Sequence, residues 1–273
     1  MSSPGPTNHA AHAAPSRRTL LAGAGGVAVG ALGGIGGYAV WRGHARNLQD
    51  APPRSEDDPR ALSAQVIFRR AGGKKLIALT FDDGPDPRWT PTVRDTLNRH
   101  GARATFFQMG NALQTPEGLA LASALAGDGH ELAIHADTHE NLATLSYAEV
   151  TRQVEVTARA SQEASGKIPR LWRPPYGALS ATVAKVAADR GLQLILWSHH
   201  ITGADPEWMR ERLLASANGG EIVLLHDGRG DPNRELMDSL GKLVGKLQRD
   251  GWEMLTVSEL LARTPAANKP ANR

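Results

Sequence analysis

Leu76-Ile77-Ala78-Leu79-Thr80-Phe81-Asp82-Asp83-Gly84-Pro85 decides how this chain folds. A run that is apolar apart from one threonine leads without a charge into two carboxylates and a Gly-Pro pair. That is the pattern of a strand buried on both faces and ended by a turn. A strand with no polar face needs cover on each side, which helices packed on a parallel sheet supply. The segment that follows offers the first such helix. Trp89, Val93 and Leu97 recur at helical spacing, and Gly101 stops them.

The alternation continues to the end of the chain. Ala104-Thr105-Phe106-Phe107, Glu131 to Ile134, Arg170 to Arg173, Gln193 to Trp197, Glu221 to Leu225 and Trp252 to Val257 read as further strands. Between them lie helical patterns over Pro116 to Ala126, over Tyr147, Val150, Val154 and Ala158, from Ser180 to Gly191, over Pro206 to Ala217, and over Leu236, Leu240, Leu243, Val244 and Leu247. The sequence thus predicts an α/β fold of about seven strands joined by helical crossovers, which favour parallel pairing in a barrel or a doubly wound sheet.

Composition agrees with a globular domain. The 273 residues are 41% hydrophobic and 22% charged, ordinary values that exclude a collagenous, largely disordered or polytopic membrane chain. Cysteine is absent, which removes disulfides, thiolate metal sites and a cysteine nucleophile. The 10 histidines then become the natural soft ligands. Lys plus Arg number 31 against 28 Asp plus Glu, and so small an excess is no nucleic-acid footprint. No nucleic-acid partner is expected, and nothing in the sequence bears on oligomeric state.

The N-terminus has a different character. Residues 1–15 are polar and small, which favours disorder. Ser16-Arg17-Arg18-Thr19-Leu20-Leu21 follows, and an uncharged run rich in Gly, Ala and Val extends from Thr19 to Trp41. Paired arginines before a weakly apolar run resemble a twin-arginine export signal. The run is also about long enough for a bilayer, where roughly 20 apolar residues suffice, so a retained signal would act as a membrane anchor. The expected organisation is a signal or anchor over 1–45, a charged, Pro-containing linker over 46–65, a folded α/β domain over 66–264 and a tail over 265–273. The expected location is extracellular or at the cell surface.

In repeating βα folds, sites assemble at the rim where the strands end. Asp82, Asp83, His135, His139, Arg173, Tyr176 and His226 each fall just past the end of a predicted strand. His135-Ala136-Asp137-Thr138-His139 spaces two imidazoles four residues apart, and on one helical turn they would share a face and a metal. With Asp83 they form a His-His-carboxylate set, which leaves positions for water and substrate as catalytic zinc sites do. The bland alternative makes Asp82 and Asp83 a solvated turn with an Asx hydrogen bond, the histidine pair exposed and His226 a satisfied core residue. On the chemical alternative one carboxylate binds the cation, the other takes a proton from water, and His226 donates a proton to a leaving group. Arg173 is then either a structural ion pair or the group that holds Asp82. His199 and His200 remain open.

Taken together, Thr80-Phe81-Asp82-Asp83-Gly84-Pro85, His135 to His139, Arg173-Pro174-Pro175-Tyr176-Gly177 and Leu224-Leu225-His226-Asp227 resemble the polysaccharide deacetylase family (NodB-type, carbohydrate esterase family four). The segments occur in the family's order and span roughly residues 74–260 of the sequence. The resemblance implies a distorted (β/α) barrel and a divalent metal, most often Zn2+, with Co2+ or another divalent ion as alternatives. It implies Asp83, His135 and His139 as metal ligands, Asp82 as general base and His226 as general acid. Arg173 would orient Asp82, the Tyr176 backbone amide would help bind the oxyanion, and Leu224 would line the pocket for the acetyl methyl. One segment departs from the pattern. Where the family carries an Asp-x-x-Asp-Trp-like motif, this chain reads Ser198-His199-His200-Ile201-Thr202-Gly203-Ala204-Asp205. Asp205 with Trp208 would substitute only through a shifted loop.

The implied activity is removal of N-acetyl groups from amino-sugar glycans. For an exported enzyme the first substrate is N-acetylglucosamine in cell-wall peptidoglycan, followed by chitin-type oligomers. A xylan O-acetyl esterase and an inactive carbohydrate-binding module on the same fold are the alternatives, and a membrane-tethered interaction protein is a third.

Overall fold

In the computed structural model, residues 64–71, 74–201, 219–228 and 234–264 are described, together with 211 and 215. The expected signal or anchor, the linker up to residue 63, Asp205, Trp208 and the tail over 265–273 lie outside the described residues, as does the helix over 206–217 apart from residues 211 and 215. Among the described residues, no helix is long and apolar enough to cross a membrane.

Strands and helices alternate as β1 (Val66–Ile67), β2 (Leu76–Asp82), α1 (Thr90–Arg99), β3 (Thr105–Met109), α2 (Gly110–Leu113), α3 (Pro116–Gly127), β4 (Glu131–Ala136), α4 (Tyr147–Ser165), β5 (Leu171–Trp172), α5 (Ala181–Asp189), β6 (Gln193–Ile195), β7 (His199–His200), β8 (Glu221–His226), α6 (Arg234–Arg249), β9 (Glu253–Leu255) and α7 (Val257–Arg263). Local chemistry sets the ends. Thr115 caps α3 by accepting a hydrogen bond from the Gly118 amide, with Pro116 at its first turn. Ser146 and Glu149 form a capping box on α4, and Gly166, at φ 70°, ends it in the left-handed region.

The strand order is β1-β6-β5-β4-β3-β2-β8-β7, with β9 alongside the start of β2. All the ladders are parallel. An antiparallel bridge between Arg69, just past β1, and Glu221 of β8 ties the far ends together and curls the sheet into a distorted barrel. The sheet has nine strands rather than about seven. The two extra, β1 and β7, are two residues each, too short to leave a periodic signal. The predicted last strand also runs too far. It stops at Leu255, and a capping box between Thr256 and Glu259 opens α7 instead.

Alternate residues separate two environments. Ala78, Phe107, Ala133, Leu171, Ile195 and Ile222 fill the barrel interior. Phe81, Phe106, Val223 and Leu225 face outward, under Val93, Leu97, Leu240 and Val244 of α1 and α6. Ile134, Trp172 and Leu194 meet Val150, Val154, Val183 and Val186 of α4 and α5. Register partners in a parallel ladder share a face. Thr80 pairs with Leu224 and Asp82 with His226, so these four side chains continue the inner face towards the rim.

Candidate metal centre and active site

β2 ends on Asp82, and the chain turns at Asp83, which adopts φ 73°. This left-handed torsion is uncommon for a residue with a Cβ, and aspartate is among the types that tolerate it. It separates the two carboxylates, so that Asp82 stays with the strand while Asp83 swings towards β4. Its neighbours hold the turn. A Cβ on Gly84 would overlap the Asp227 carboxylate, and one on Gly228 would overlap the Asp83 carbonyl.

Asp83 Oδ1 lies 3.3 Å from His135 Nε2 and 3.3 Å from His139 Nε2. One ligand atom from each residue falls within 4.8 Å of the others, and among the described residues this is the grouping of that kind. Asp83 and His135 are buried, and His139 is partly so. The two histidines do not share a helical turn. His135 belongs to β4, which runs on to Ala136, and His139 follows a bend at 137 and 138. The strand directs His135 into the barrel mouth, and the bend brings His139 back beside it, with ring centroids 5.3 Å apart.

The donor set fits a divalent cation. His135 Nδ1 donates to the Arg173 carbonyl at 2.6 Å, which leaves Nε2 with its lone pair directed at Asp83. That outer hydrogen bond fixes the tautomer a metal-binding histidine needs. Trp172 Nε1 also donates to the His135 carbonyl at 3.0 Å, anchoring the backbone. Burial would raise the Asp83 carboxyl, but with His135 doubly protonated its Nε2 donates to Asp83, and that bond with the charges of His135, His139 and His226 outweighs burial and holds the group below the ordinary carboxylate value, in the place where a cation would replace those protons. Asp83 is thus ionised and ready to ligate.

Asp82 is gripped from below. Arg173 is fully buried, and its Nη1 donates to Asp82 Oδ1 at 2.7 Å and to Thr80 Oγ1 at 2.8 Å. Nε reaches the Ile195 carbonyl at 3.0 Å, Nη2 reaches the Leu196 carbonyl at 3.1 Å, and the guanidinium lies 4.1 Å from the centre of the Phe107 ring. So many oriented acceptors compensate a cation in the core, and they leave the Asp82 carboxylate little freedom.

His226 is half-buried at the end of β8, in register with Asp82. His200 of β7 pairs with Leu224 and presents its ring 5.4 Å from that of His226. Burial draws His200 below the ordinary histidine value, with the His226 charge adding to it. His199 turns outward, its Nδ1 3.2 Å from Glu221 Oε2. Tyr176 has φ 61°, is 64% exposed, and packs its ring edge-on against His139 at 4.5 Å. Leu224 is buried.

Sequence reasoning missed two participants. Thr80 bridges Arg173 to the Val223 carbonyl. Asp227 is fully buried, and burial pushes its carboxyl up to about 7; a hydrogen bond from Thr90 opposes the rise, and the charges of Asp83, Asp82 and Asp86 add to it. Both lie inside motifs already noted, and only their neighbours in space reveal them. Two surface depressions meet at His139. One is bounded by Asn141, Thr144, Leu145 and Tyr176, the other by Asp86, Arg88, Met109 and Asn111.

A parallel sheet curled into a distorted barrel, with an Asp-His-His cluster and an arginine-held carboxylate on its strand-end rim, defines an α/β barrel with a candidate metal centre. The profile of the polysaccharide deacetylase family matches residues 69–195. A peptidoglycan-N-acetylglucosamine deacetylase of Bacillus cereus is 34% identical over 213 residues, covering 76% of this chain and 97% of that protein. A chitooligosaccharide deacetylase of a Bradyrhizobium species is 35% identical over 209 residues, covering 69% of this chain and 91% of its own length. Among solved structures, a peptidoglycan N-acetylglucosamine deacetylase in complex with 4-naphthalen-1-yl-N-oxidanyl-benzamide aligns with a TM-score of 0.66 and 26% identity, over 74% of this chain and 95% of that one. The chain belongs to the polysaccharide deacetylase family.

Proposed function

We propose that this protein is a metal-dependent hydrolase that removes N-acetyl groups from N-acetylglucosamine-containing glycans, with cell-wall peptidoglycan as its first substrate and chitin-type oligomers as its second. The observation that carries the reading is Asp83 Oδ1, 3.3 Å from the Nε2 atoms of both His135 and His139, beside a separate carboxylate fixed by Arg173. The relatives named above act, by name, on these two kinds of glycan. The depressions on either side of His139 draw on loops after β2 and β3 on one side and after β4 and β5 on the other. Depressions on both sides of the centre suit a sugar chain.

Asp83, His135 and His139 would hold the ion, and Zn2+ suits two imidazoles and a carboxylate. When bound, such an ion supplies Lewis acidity, polarising a carbonyl oxygen and acidifying water. Asp82, oriented by Arg173, takes the proton of the water that attacks the acetamide carbon. The Tyr176 backbone N–H shares the charge that develops on the carbonyl oxygen. Leu224 offers an apolar wall to the acetyl methyl. His226 gives its proton to the departing sugar nitrogen as the C–N bond breaks, and acetate and the free amine result. The same residues would hydrolyse an acetyl ester. The Arg17-Arg18 signal fits export of the folded protein to the wall where such glycans lie.

Acetate release separates these readings. The full chain is stripped with a chelator, restored with Zn2+, and assayed on peptidoglycan, chitin oligomers and acetylated xylan. Zinc-dependent release from the N-acetylated glycans is expected. Release from xylan alone would turn the reading to an esterase, and none from any glycan would leave a binding module.

A further inference from the structure

We propose that Gln153 of α4 is the positioning residue that sets His139 against His135 and Asp83, and so governs how tightly the centre holds its ion. The inference rests on the metal-centre reading given above. Gln153 is 1% exposed and lies on the core-facing stripe of α4, between Val150, Val154 and Thr157. An amide at such a position is costly unless its hydrogen bonds are made. They are made to Thr138, the residue before His139. Gln153 Oε1 accepts from the Thr138 backbone amide at 2.7 Å, and Nε2 donates to Thr138 Oγ1 at 2.8 Å. One side chain therefore clamps both the main chain and the side chain of a single residue lying between two ligands.

This clamp answers the problem the sequence leaves at His139. No helix carries His135 and His139 on one face, so the return of His139 depends on the bend at Asp137 and Thr138. The neighbouring residue of α4 takes part as well. Arg152 Nη1 donates to Asp137 Oδ2 at 2.7 Å, and Gln114 Nε2 donates to Asp137 Oδ1 at 3.1 Å. Asp137 is held by an arginine that is itself 56% exposed, whereas Thr138 is held from the core. The buried contact is the one that solvent exchange and salt leave intact. Partners behind a metal-binding histidine orient it and typically carry 10- to 100-fold in metal affinity, on the order of what is at stake here.

The test compares Q153M and V154A with the wild-type full chain, measuring Zn2+ affinity by competition with a chelator and thermal stability of the metal-free protein. Methionine fills the same space without the hydrogen bonds. V154A removes buried volume one position along the same helix, at a side chain that has no hydrogen bond to give Thr138. Q153M should bind Zn2+ roughly 10- to 100-fold more weakly, and V154A should lose stability at unchanged affinity. If Q153M binds as tightly as wild type, or V154A weakens binding as much as Q153M, Gln153 has only a structural role. If wild type itself binds no Zn2+, the metal-centre reading falls and takes this proposal with it. Zn2+ binding by wild type with undiminished affinity in Q153M overturns this proposal alone.

Discussion

Asp82 and Asp83 are neighbours in the chain, yet one left-handed torsion at Asp83 sends their carboxylates to different partners. Asp82 meets a guanidinium at 2.7 Å and Asp83 meets two imidazoles. That separation makes their roles distinguishable by mutation. Asp82→Asn keeps the shape and one acceptor for Arg173 but cannot take a proton. Zn2+ binding should survive, measured by metal content after dialysis, while kcat falls by about 10²- to 10⁴-fold. A variant that turns over at the wild-type rate would remove Asp82 from the base role. The adjacent carboxylates, the spaced histidines and Arg173 were legible in the sequence because each is a polar group at the end of an apolar run. Thr80 and Asp227 were not. A lone threonine in a buried strand and an aspartate after a histidine have ordinary explanations, and only the folded neighbours Arg173 and Thr90 assign them work.

β2 and β8 form the longest ladder through the site, in register from Ile77 with Glu221 to Asp82 with His226. Their ends are joined so closely that two glycines become obligatory. Gly84 faces the Asp227 carboxylate and Gly228 faces the Asp83 carbonyl. Gly84→Ala should cost about 1–3 kcal/mol, the usual range for overpacking a filled site, and should lower Zn2+ affinity because the shift falls next to Asp83. Denaturant unfolding of the metal-free protein and a chelator titration read the two effects separately. A variant unchanged in both would mean that the turn relaxes freely. Long elements such as β2, α4 and α6 announce themselves by burial pattern or helical spacing. The short ones do not. β1 and β7 have two residues each, and the α7 start was hidden because Trp252 to Val257 is continuously strand-like. Thr256 followed by Glu259 was the capping-box signal that separates them.

Across the molecule, titratable groups also lie away from the strand-end rim, where they bear on stability. His130 is the clearest case. It precedes β4, is 6% exposed, packs edge-on against Phe106 at 5.4 Å, and accepts the Ala104 amide on Nδ1 at 3.3 Å. Burial lowers it from 6.5 to about 4, with Asp128 opposing and Arg94 and Arg103 adding. The folded protein therefore keeps this imidazole neutral at pH values where the unfolded chain protonates it. Its contribution to stability is complete above pH 6.5 and is lost as the pH falls through about 4. At roughly 1.4 kcal/mol per unit of displacement, the loss by pH 4.5 is about 2–3 kcal/mol. His130→Asn keeps an acceptor at the Nδ1 position for Ala104 and does not titrate. Urea unfolding of both chelated proteins at pH 7 and pH 4.5 should show the wild type losing more stability on acidification than the variant, by that amount. Equal losses would mean that His130 is protonated in the fold as readily as in the open chain, and that the acid sensitivity of this barrel resides in its carboxylates.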